Sequence, residues 1–110
     1  MHYRRLGRSG IKVSEISLGA WVTFGSQISE KKAIQLVQSA YEQGINFFDN
    51  ADVYAQGKAE EVLGRAIKGI PREALVISSK VFFPTMEGIK GRGLSNKHIF
   101  ESVHASLTRK

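Results

Sequence analysis

The stretch GINFFDNADVYAQGKAEEVLGRAI, residues 44–67, decides the fold. It opens with a short apolar run, 45–48, which predicts a buried strand, and then passes through a polar loop. A helix is expected next, because Glu60 and Glu61 stand where negative charge favours a helix N-terminus. Gly69 and Pro71 are predicted to end this helix. Its inner face is predicted to contain Val62, Leu63, Ala66 and Ile67.

The same order of strand and helix occurs on both sides of this stretch. Upstream, a short strand is predicted over 15–18, and Ser29 is a good N-cap for a helix that Gly44 ends. The apolar residues of that helix recur at helical spacing and are Ala33, Ile34, Val37, Ala40 and Tyr41. Downstream, a strand is predicted over 75–79. A third helix then begins at the cap Ser95, and its apolar stripe is predicted to be Ile99, Val103 and Leu107.

The first residues predict a β-hairpin. Runs 3–6 and 11–13 favour strands, and Gly7 and Gly10 between them supply unusual turn dihedrals. Apolar strands alternating with amphipathic helices indicate an α/β protein with a parallel sheet. A closed eight-fold βα barrel needs about 250 residues and an open doubly wound sheet about five strands. Since the sequence predicts three βα units, we expect the front part of a larger domain, cut within the third helix.

Composition describes an ordinary globular chain. The 110 residues are 42% apolar and include no cysteine, which excludes disulfides and thiolate metal sites and favours a reducing, cytoplasmic setting. No stretch has the length of a signal segment or a membrane span, so we expect a soluble protein.

The net charge of +6 does not predict nucleic-acid binding. The sixteen Lys and Arg residues are scattered, and aromatic residues are not interleaved with them as single-strand binding requires. A solvated surface is the favoured interpretation, and a basic pocket for an anionic cofactor stays open.

Three residues suggest proton transfer. Asp49 follows the second parallel strand directly, Tyr54 lies in the loop after it, and Lys80 closes the third strand. Ligands of parallel βα folds gather at this end of the strands. A tyrosine donates a proton poorly unless a cation is beside it, and a carboxylate would steady such a cation. Tyr54 is therefore a candidate general acid, Lys80 its modulator and Asp49 the orienting anion. From the spacing alone, the favoured interpretation is that Asp49 caps a turn, Tyr54 packs in a loop and Lys80 is a strand-end charge.

Other candidate sites are weaker. His98 and His104 lie about 240° apart on a helix and cannot form one metal face, so surface or partly packed roles are expected. His2 has no acidic or histidine neighbours. The glycines of GSQ, QGK and GRG match neither GxxxxGK nor GxGxxG, which excludes a phosphate loop of those types. No metal site is predicted.

Four segments carry a family resemblance: LGRSGIKVSEISLGAWVTFG, GINFFDNADVYAQGKAEEVLGRAI, LVISSK and GRGLSNKHIFESVHASL. Together they resemble the N-terminal part of the aldo-keto reductases. WVTFGSQI and NADVYAQGKAE are most similar to the branch that contains potassium-channel β subunits and their bacterial relatives. The resemblance implies the N-terminal part of a (β/α)8 TIM barrel closed at its bottom by a hairpin. Residues 1–110 would then be one incomplete barrel domain.

The resemblance also implies a reaction and a cofactor. Asp49, Tyr54 and Lys80 match three of the four catalytic residues of the family, which reduces aldehydes or ketones with NADPH. Ala20, Trp21 and Gln27 match positions that contact the nicotinamide nucleotide, with Asp49 near the ribose. Ala20 and Asn50 both stand where a threonine is common in the family, and neither departure puts the reaction in doubt.

The fourth catalytic residue, a histidine or asparagine, is expected beyond Lys110, so the 110 residues are predicted to be an inactive N-terminal fragment. The alternative is a nucleotide-binding regulatory β subunit of a voltage-gated potassium channel. A homo-oligomer or a channel partner is possible for the full-length protein. A half-barrel that serves as an interaction module is disfavoured, because its third strand would leave an exposed edge.

Overall fold

Three short parallel strands form the centre of the structure, a computed structural model that describes residues 1–110. A two-stranded hairpin precedes them, and one α-helix follows each parallel strand. In chain order the elements are β1 Tyr3–Arg5, β2 Lys12–Ser14, β3 Leu18–Gly19, α1 Glu30–Glu42, β4 Phe47–Asp49, α2 Lys58–Ala66, β5 Val76–Ser78 and α3 Asn96–Arg109. The connecting loops contain short helical turns at Thr23–Gln27, Tyr54–Gly57, Arg72–Ala74 and Ile89–Gly91.

The parallel strands pair in the order β3-β4-β5. Asp49 at the end of β4 is level with Gly19 on one side and Ser78 on the other. The carboxyl ends of the three strands therefore meet at one edge of the sheet, where the loops after them converge. The predicted strands 15–18, 45–48 and 75–79 are each displaced or shortened by one to three residues. The predicted order of three strand–helix units is observed.

The helices begin where the sequence predicts. The Ser29 side chain accepts a hydrogen bond from the Lys32 N–H at 3.3 Å, and Ser95 accepts one from the His98 N–H at 3.1 Å. Both contacts satisfy an N–H group that has no partner within the first helical turn. In α2, Glu60 and Glu61 do lie in the first turn.

The core lies between the sheet and the first two helices. Phe48 of β4 is 1% exposed and packs among small and branched side chains that both helices contribute. Phe24, from the loop after β3, closes the same cluster at 1% exposure. The main members from the helices are Ala33 and Val37 of α1 and Val62, Leu63 and Ala66 of α2.

The hairpin is antiparallel and attached by few polar contacts. Arg4 of β1 pairs with Val13 of β2. Asn46, just before β4, accepts the Ser14 N–H at 2.8 Å and donates to the Lys12 carbonyl at 3.2 Å. The Tyr3 hydroxyl donates to the Gly44 carbonyl at 2.7 Å. These contacts hold the hairpin against the amino end of β4, opposite the edge where the loops converge.

The predicted apolar stripe of α3, Ile99, Val103 and Leu107, is not its buried face. Val103 is 47% exposed and Leu107 66% exposed. The buried residues of α3 are instead His98, Ser102 and Ser106. The reason is the chemistry of the neighbouring helix: α3 meets α2 at the fully buried carboxylate of Glu60, which selects hydroxyl and cationic partners.

Glu60 joins three elements. Its carboxylate accepts hydrogen bonds from Ser79 at 2.6 Å and Ser106 at 3.0 Å, and it also binds Arg109 at 2.7 Å and Lys110 at 2.8 Å. Burial alone would raise the pKa of Glu60, but these contacts outweigh it and lower the pKa below the ordinary 4.5. The carboxylate is therefore an ionised, fully partnered link between α2, β5 and the end of α3.

None of the helices combines the length and the apolar character that crossing a bilayer requires.

Candidate active site

The ammonium group of Lys80 brings the three predicted catalytic residues together. Its Nζ donates to Asp49 Oδ2 at 2.8 Å and Oδ1 at 2.9 Å, and to the Asn50 carbonyl at 2.7 Å. It also lies 3.1 Å from the Tyr54 hydroxyl oxygen, and 4.9 Å from the centre of that ring. One cation thus contacts both the carboxylate and the phenol.

Strand register places two of these groups. Asp49 is level with Ser78. Lys80 follows Ser78 by two residues, so the Lys80 side chain projects to the same face of the sheet as those of Ser78 and Asp49. Tyr54 comes from the loop 50–57, whose backbone is attached to the continuation of β5. The Asn50 N–H donates to the Ser78 carbonyl at 3.0 Å and the Asp52 N–H to the Lys80 carbonyl at 3.2 Å.

A left-handed turn follows Tyr54 directly. Ala55, Gln56 and Gly57 have φ of 49°, 54° and 88°, and only glycine adopts such angles without steric cost. The turn brings the chain into α2 within three residues. Ala55 and Gln56 are not glycines, so their left-handed backbone is strained. This strain lies beside a candidate catalytic residue, as is common at functional sites.

Charge interactions favour an ion pair at the site. Partial burial would raise the pKa of Asp49, but hydrogen bonds from Lys80 and Ser78 outweigh it, and the pKa lies below the ordinary 3.8. Burial would likewise lower the pKa of Lys80, and its contacts with Asp49 and Tyr54 raise it above 10.5. Asp49 is therefore anionic and Lys80 cationic over the whole neutral range.

Two supporting groups were not predicted from the sequence. The Ser78 hydroxyl donates to Asp49 Oδ1 at 2.5 Å, and the Asn50 carbonyl is a further acceptor for Lys80. A signal for Ser78 was present, because it lies two residues before Lys80 and on the same face of the strand. No sequence signal identifies a backbone carbonyl such as that of Asn50.

The residues predicted to contact a nucleotide are divided between surface and core. Trp21 is 71% exposed, and its ring stacks on Tyr54 with the ring centres 6.3 Å apart. Gln27 is exposed at the end of the turn after β3. Ala20 is only 2% exposed and belongs to the core, while its N–H donates to the Asp49 carbonyl at 3.0 Å. Their contact with a cofactor stays a prediction, and Ala20 stands behind the site.

A hollow beside Tyr54 is lined by apolar side chains. It measures about 440 Å³ and is formed by Trp21, Val53, Tyr54, Ala55 and Phe83. Phe83 is 62% exposed at this rim. A small apolar molecule lying there would be next to Tyr54, whose phenol hydroxyl can donate a proton.

His98 and His104 are separated by the fold. His104 is exposed on α3, as expected for a surface residue, whereas His98 is 3% exposed and therefore fully buried. The expectation of a surface or partly packed role was wrong for His98. Neither histidine is among the residues that contact Tyr54, Lys80 or Asp49.

The fold and the site define a class of protein: an α/β chain with a carboxylate, an ammonium and a phenol at the carboxyl ends of parallel strands. The chain belongs to the aldo/keto reductase family, whose sequence profile matches residues 15–110. This agrees with the resemblance found in the sequence.

Related sequences and solved structures agree with this membership. The chain is 51% identical over 111 residues to a probable voltage-gated potassium channel subunit beta from Arabidopsis thaliana, and 50% identical to one from Oryza sativa subsp. japonica. It superposes on an aldo-keto reductase from Bacillus halodurans, in its holo form, with a TM-score of 0.85 and 36% identity. For a thermostable aldo-keto reductase in complex with the inhibitor epalrestat the TM-score is 0.82 at 32% identity.

Each match covers nearly the whole chain and a minor part of the relative. The alignments include 99% of this chain, 34% of the two plant proteins, and 36% and 38% of the two solved structures. The chain thus spans about a third of the length of the relatives that it matches. It has the α/β fold of the corresponding third of aldo-keto reductase barrels.

Proposed function

We propose that this chain is the N-terminal part of an NADPH-dependent reductase of aldehydes or ketones, with Tyr54 as the proton donor. The observation that carries the proposal is the position of one ammonium, Lys80, within hydrogen-bonding distance of both Tyr54 and Asp49. A purely structural ion pair would have no need of the phenol, and Tyr54, which packs partly against the core, also lines an open apolar hollow.

Each residue has a role that follows from its contacts. Tyr54 gives its proton to the carbonyl oxygen of the substrate, and the Lys80 ammonium stabilises the phenolate that remains. Asp49 and the Asn50 carbonyl hold Lys80 in place and keep it charged. The aromatic rim of Trp21 and Phe83 favours small carbonyl compounds with apolar or aromatic substituents.

The residues around Tyr54 fit the nicotinamide end of a dinucleotide. Trp21 offers an exposed aromatic face, and Gln27 and Asp49 offer polar groups at the same end of the sheet. When bound, NADPH supplies the hydride. We assign its contacts to Trp21, Gln27 and Asp49, while Ala20 contributes only its backbone to the shape of the loop.

The 110 residues are proposed to be one incomplete barrel domain, built of the hairpin and about three βα units. Alone they supply one side of the site, and we expect no turnover from them. The complete protein is proposed to work in the cytoplasm, as a homo-oligomer or with a protein partner, and without nucleic acid or direct membrane insertion.

The test is a chimera in which residues 1–110 replace the corresponding third of the Bacillus halodurans reductase. NADPH oxidation is followed with 4-nitrobenzaldehyde or methylglyoxal. We expect turnover from the chimera, its loss in Tyr54→Phe, and no change in Tyr3→Phe, which alters a phenol of the hairpin. An active Tyr54→Phe chimera would rule out the assigned role. Turnover by the 110 residues alone would contradict the expectation for the isolated chain.

A second candidate function is a nucleotide-binding regulatory subunit of a voltage-gated potassium channel. It is supported by the higher identity to the two plant channel subunits, 51% and 50%, than to the two reductases, 36% and 32%. Co-purification of the complete protein with a channel tetramerisation domain, in a form that reduces no carbonyl, would favour this function over the enzyme.

A further inference from the structure

Asp52 is a buried carboxylic acid that the proposed reaction does not use. It is 4% exposed, lies in the loop between Asp49 and Tyr54, and its Oδ2 has no hydrogen-bond partner. Its backbone is fixed, because the Asp52 N–H donates to the Lys80 carbonyl at 3.2 Å. Its side chain lines a hollow with Ser102 and Arg109 of α3, whereas its main chain belongs to the active-site loop.

His98 faces the same space from α3. It is 3% exposed, and its Nε2 is also buried without a partner. Both residues line one hollow of about 230 Å³ between the loop and the helix. Two complementary unpartnered groups, a possible N–H donor and an oxygen acceptor, thus border one cavity. Each would be costly if it stayed unpaired.

The charges around Asp52 make its ionisation conditional. Burial raises the pKa of Asp52 above 3.8, the nearby Ser102 hydroxyl opposes this, and the carboxylate of Glu60 adds to it. A positive charge on His98 acts in the opposite direction. The other charged groups that border this hollow are Glu101 and Arg109 of α3. Asp52 also lines a second hollow, which Glu87 and Arg92 of the loop before α3 border.

We propose that the Asp52 carboxylate and the His98 Nε2–H are linked across this hollow through one ordered water, and that this link positions Tyr54. It fastens the loop 50–57 to α3 at a point two residues before the phenol. With the link formed, the loop is held on one side by the continuation of β5 and on the other by α3. Without it, the loop is fixed only from the side of β5, by the backbone contacts and the Lys80 ammonium, and Tyr54 has more than one orientation relative to Lys80.

The proposal deepens the function given above, because it depends on Tyr54 as the proton donor. Its test uses NMR of the isotopically labelled 110-residue chain and requires no turnover. A link found by NMR together with a chimera that reduces no carbonyl would support the link and contradict the proposed function. An active chimera without the link would support the function and contradict the link.

The first measurement needs no substitution. We expect the His98 Nε2 to carry a proton that exchanges slowly with solvent at neutral pH, whereas the exposed His104 on the same helix shows none. A His98 Nε2 whose ¹⁵N chemical shift is that of an unprotonated nitrogen would overturn the proposal. Coincident signals from His98 and His104, as in an unfolded chain, would overturn it as well.

The second measurement follows the Asp52 side-chain carboxyl carbon as the pH is changed. His98→Met removes the donor, and we expect the Asp52 midpoint to rise by about 1 pH unit, because a hydrogen bond to the ionised carboxylate is lost. His98→Gln keeps an N–H donor in a similar place, so its Asp52 midpoint should lie close to that of the unaltered chain. His104→Met is the matched control and should leave the midpoint unchanged. Equal midpoints in His98→Met and the unaltered chain would overturn the proposal.

The readout of positioning is the Tyr54 ring carbon that bears the hydroxyl. We expect its signal to shift or broaden in His98→Met, to recover in His98→Gln, and to be unaffected in His104→Met. A Tyr54 signal that is identical in all these variants would show that the link does not position the phenol.

Discussion

Lys80 and Asp49 form a two-oxygen contact across adjacent parallel strands, with the Lys80 Nζ 2.8 and 2.9 Å from the two carboxylate oxygens. The pair depends on sheet register, because Asp49 is level with Ser78 and Lys80 is the next residue on that face. A slip of one residue between β4 and β5 would turn Lys80 to the other face and separate it from Tyr54.

Replacing Lys80 by methionine in the chimera should abolish most of the activity. The change keeps the length of the side chain and removes the charge beside Tyr54, so we expect kcat to fall by about 10²–10⁴-fold, the usual contribution of acid–base catalysis. The matched control is Lys58→Met, which removes an exposed lysine that pairs with Glu61. Steady-state kinetics with 4-nitrobenzaldehyde make the comparison, and equal losses in both variants would point to unfolding instead.

Glu60→Gln should destabilise the chain in a way that depends on pH. The variant leaves Arg109 and Lys110 beside a neutral group, and loss of one partner of a buried ion pair costs about 3 kcal/mol. Because folding lowers the pKa of Glu60, its contribution is present above the ordinary 4.5 and is lost as the pH falls through the lower folded value. Urea unfolding should therefore show a difference in the free energy of unfolding between Glu60→Gln and the unaltered chain that is smaller at acid pH than at pH 7.

The control for that experiment is Glu61→Gln. Glu61 is the next residue of the same helix, and its side chain is 41% exposed in a contact with Lys58. Exposed pairs contribute about 0–1 kcal/mol, so little change is expected. Equal effects of the two substitutions would contradict a special role for the buried carboxylate.

Gln56→Gly should stabilise the chain slightly. Gln56 has a φ of 54°, and release of left-handed strain, about 1–2 kcal/mol, exceeds the entropic cost of glycine, about 0.5–1 kcal/mol. The same change at Gln35, exposed in α1, should destabilise by about 1 kcal/mol, since glycine is a poor helix former. Denaturant titration of both variants should give changes of opposite sign. A loss of stability at both positions would show that the turn is not strained.

Gly64→Ala should separate the end of α3 from α2. A Cβ at Gly64 would lie 2.3 Å from the Arg109 carbonyl oxygen, so backbone must move. Overpacking costs about 1–3 kcal/mol, which outweighs a gain of about 1 kcal/mol in helix propensity. Gly19→Ala, where no atom lies within 4 Å of the added carbon, is the control. Amide exchange in α3 should become faster only in Gly64→Ala.

Local signals in the sequence predicted the elements well. The caps Ser29 and Ser95, the glycines of the hairpin turn and the order of the strands all depend on neighbours along the chain. The association of Asp49, Tyr54 and Lys80 was also predicted, because strand ends converge in any parallel sheet. The roles of Ser78 and the Asn50 carbonyl depend on register, which the sequence does not state.

The inner face of α3 could not be read from periodicity. The helix has an apolar stripe and a polar face, and the rule that apolar residues are buried selects the stripe. The fold reverses this choice, because Glu60 is buried at the contact and requires Ser106 and Arg109 as partners. In the sequence, Glu60 has only the features of an acidic residue in the first turn of a helix. Its burial and its contacts with the end of α3 depend on the tertiary structure.

The attachment of the hairpin has a consequence for limited proteolysis. Its strand β1 is exposed along its whole length, and side chains of Tyr3, Ser14 and Asn46 supply the side-chain hydrogen bonds that join the hairpin to the rest. Such a segment opens at a lower free energy than the core. Trypsin cleaves after lysine and arginine, and the hairpin contains Arg4, Arg5, Arg8 and Lys12. The hairpin should therefore be clipped first, leaving a protected remainder that begins no later than Val13 of β2.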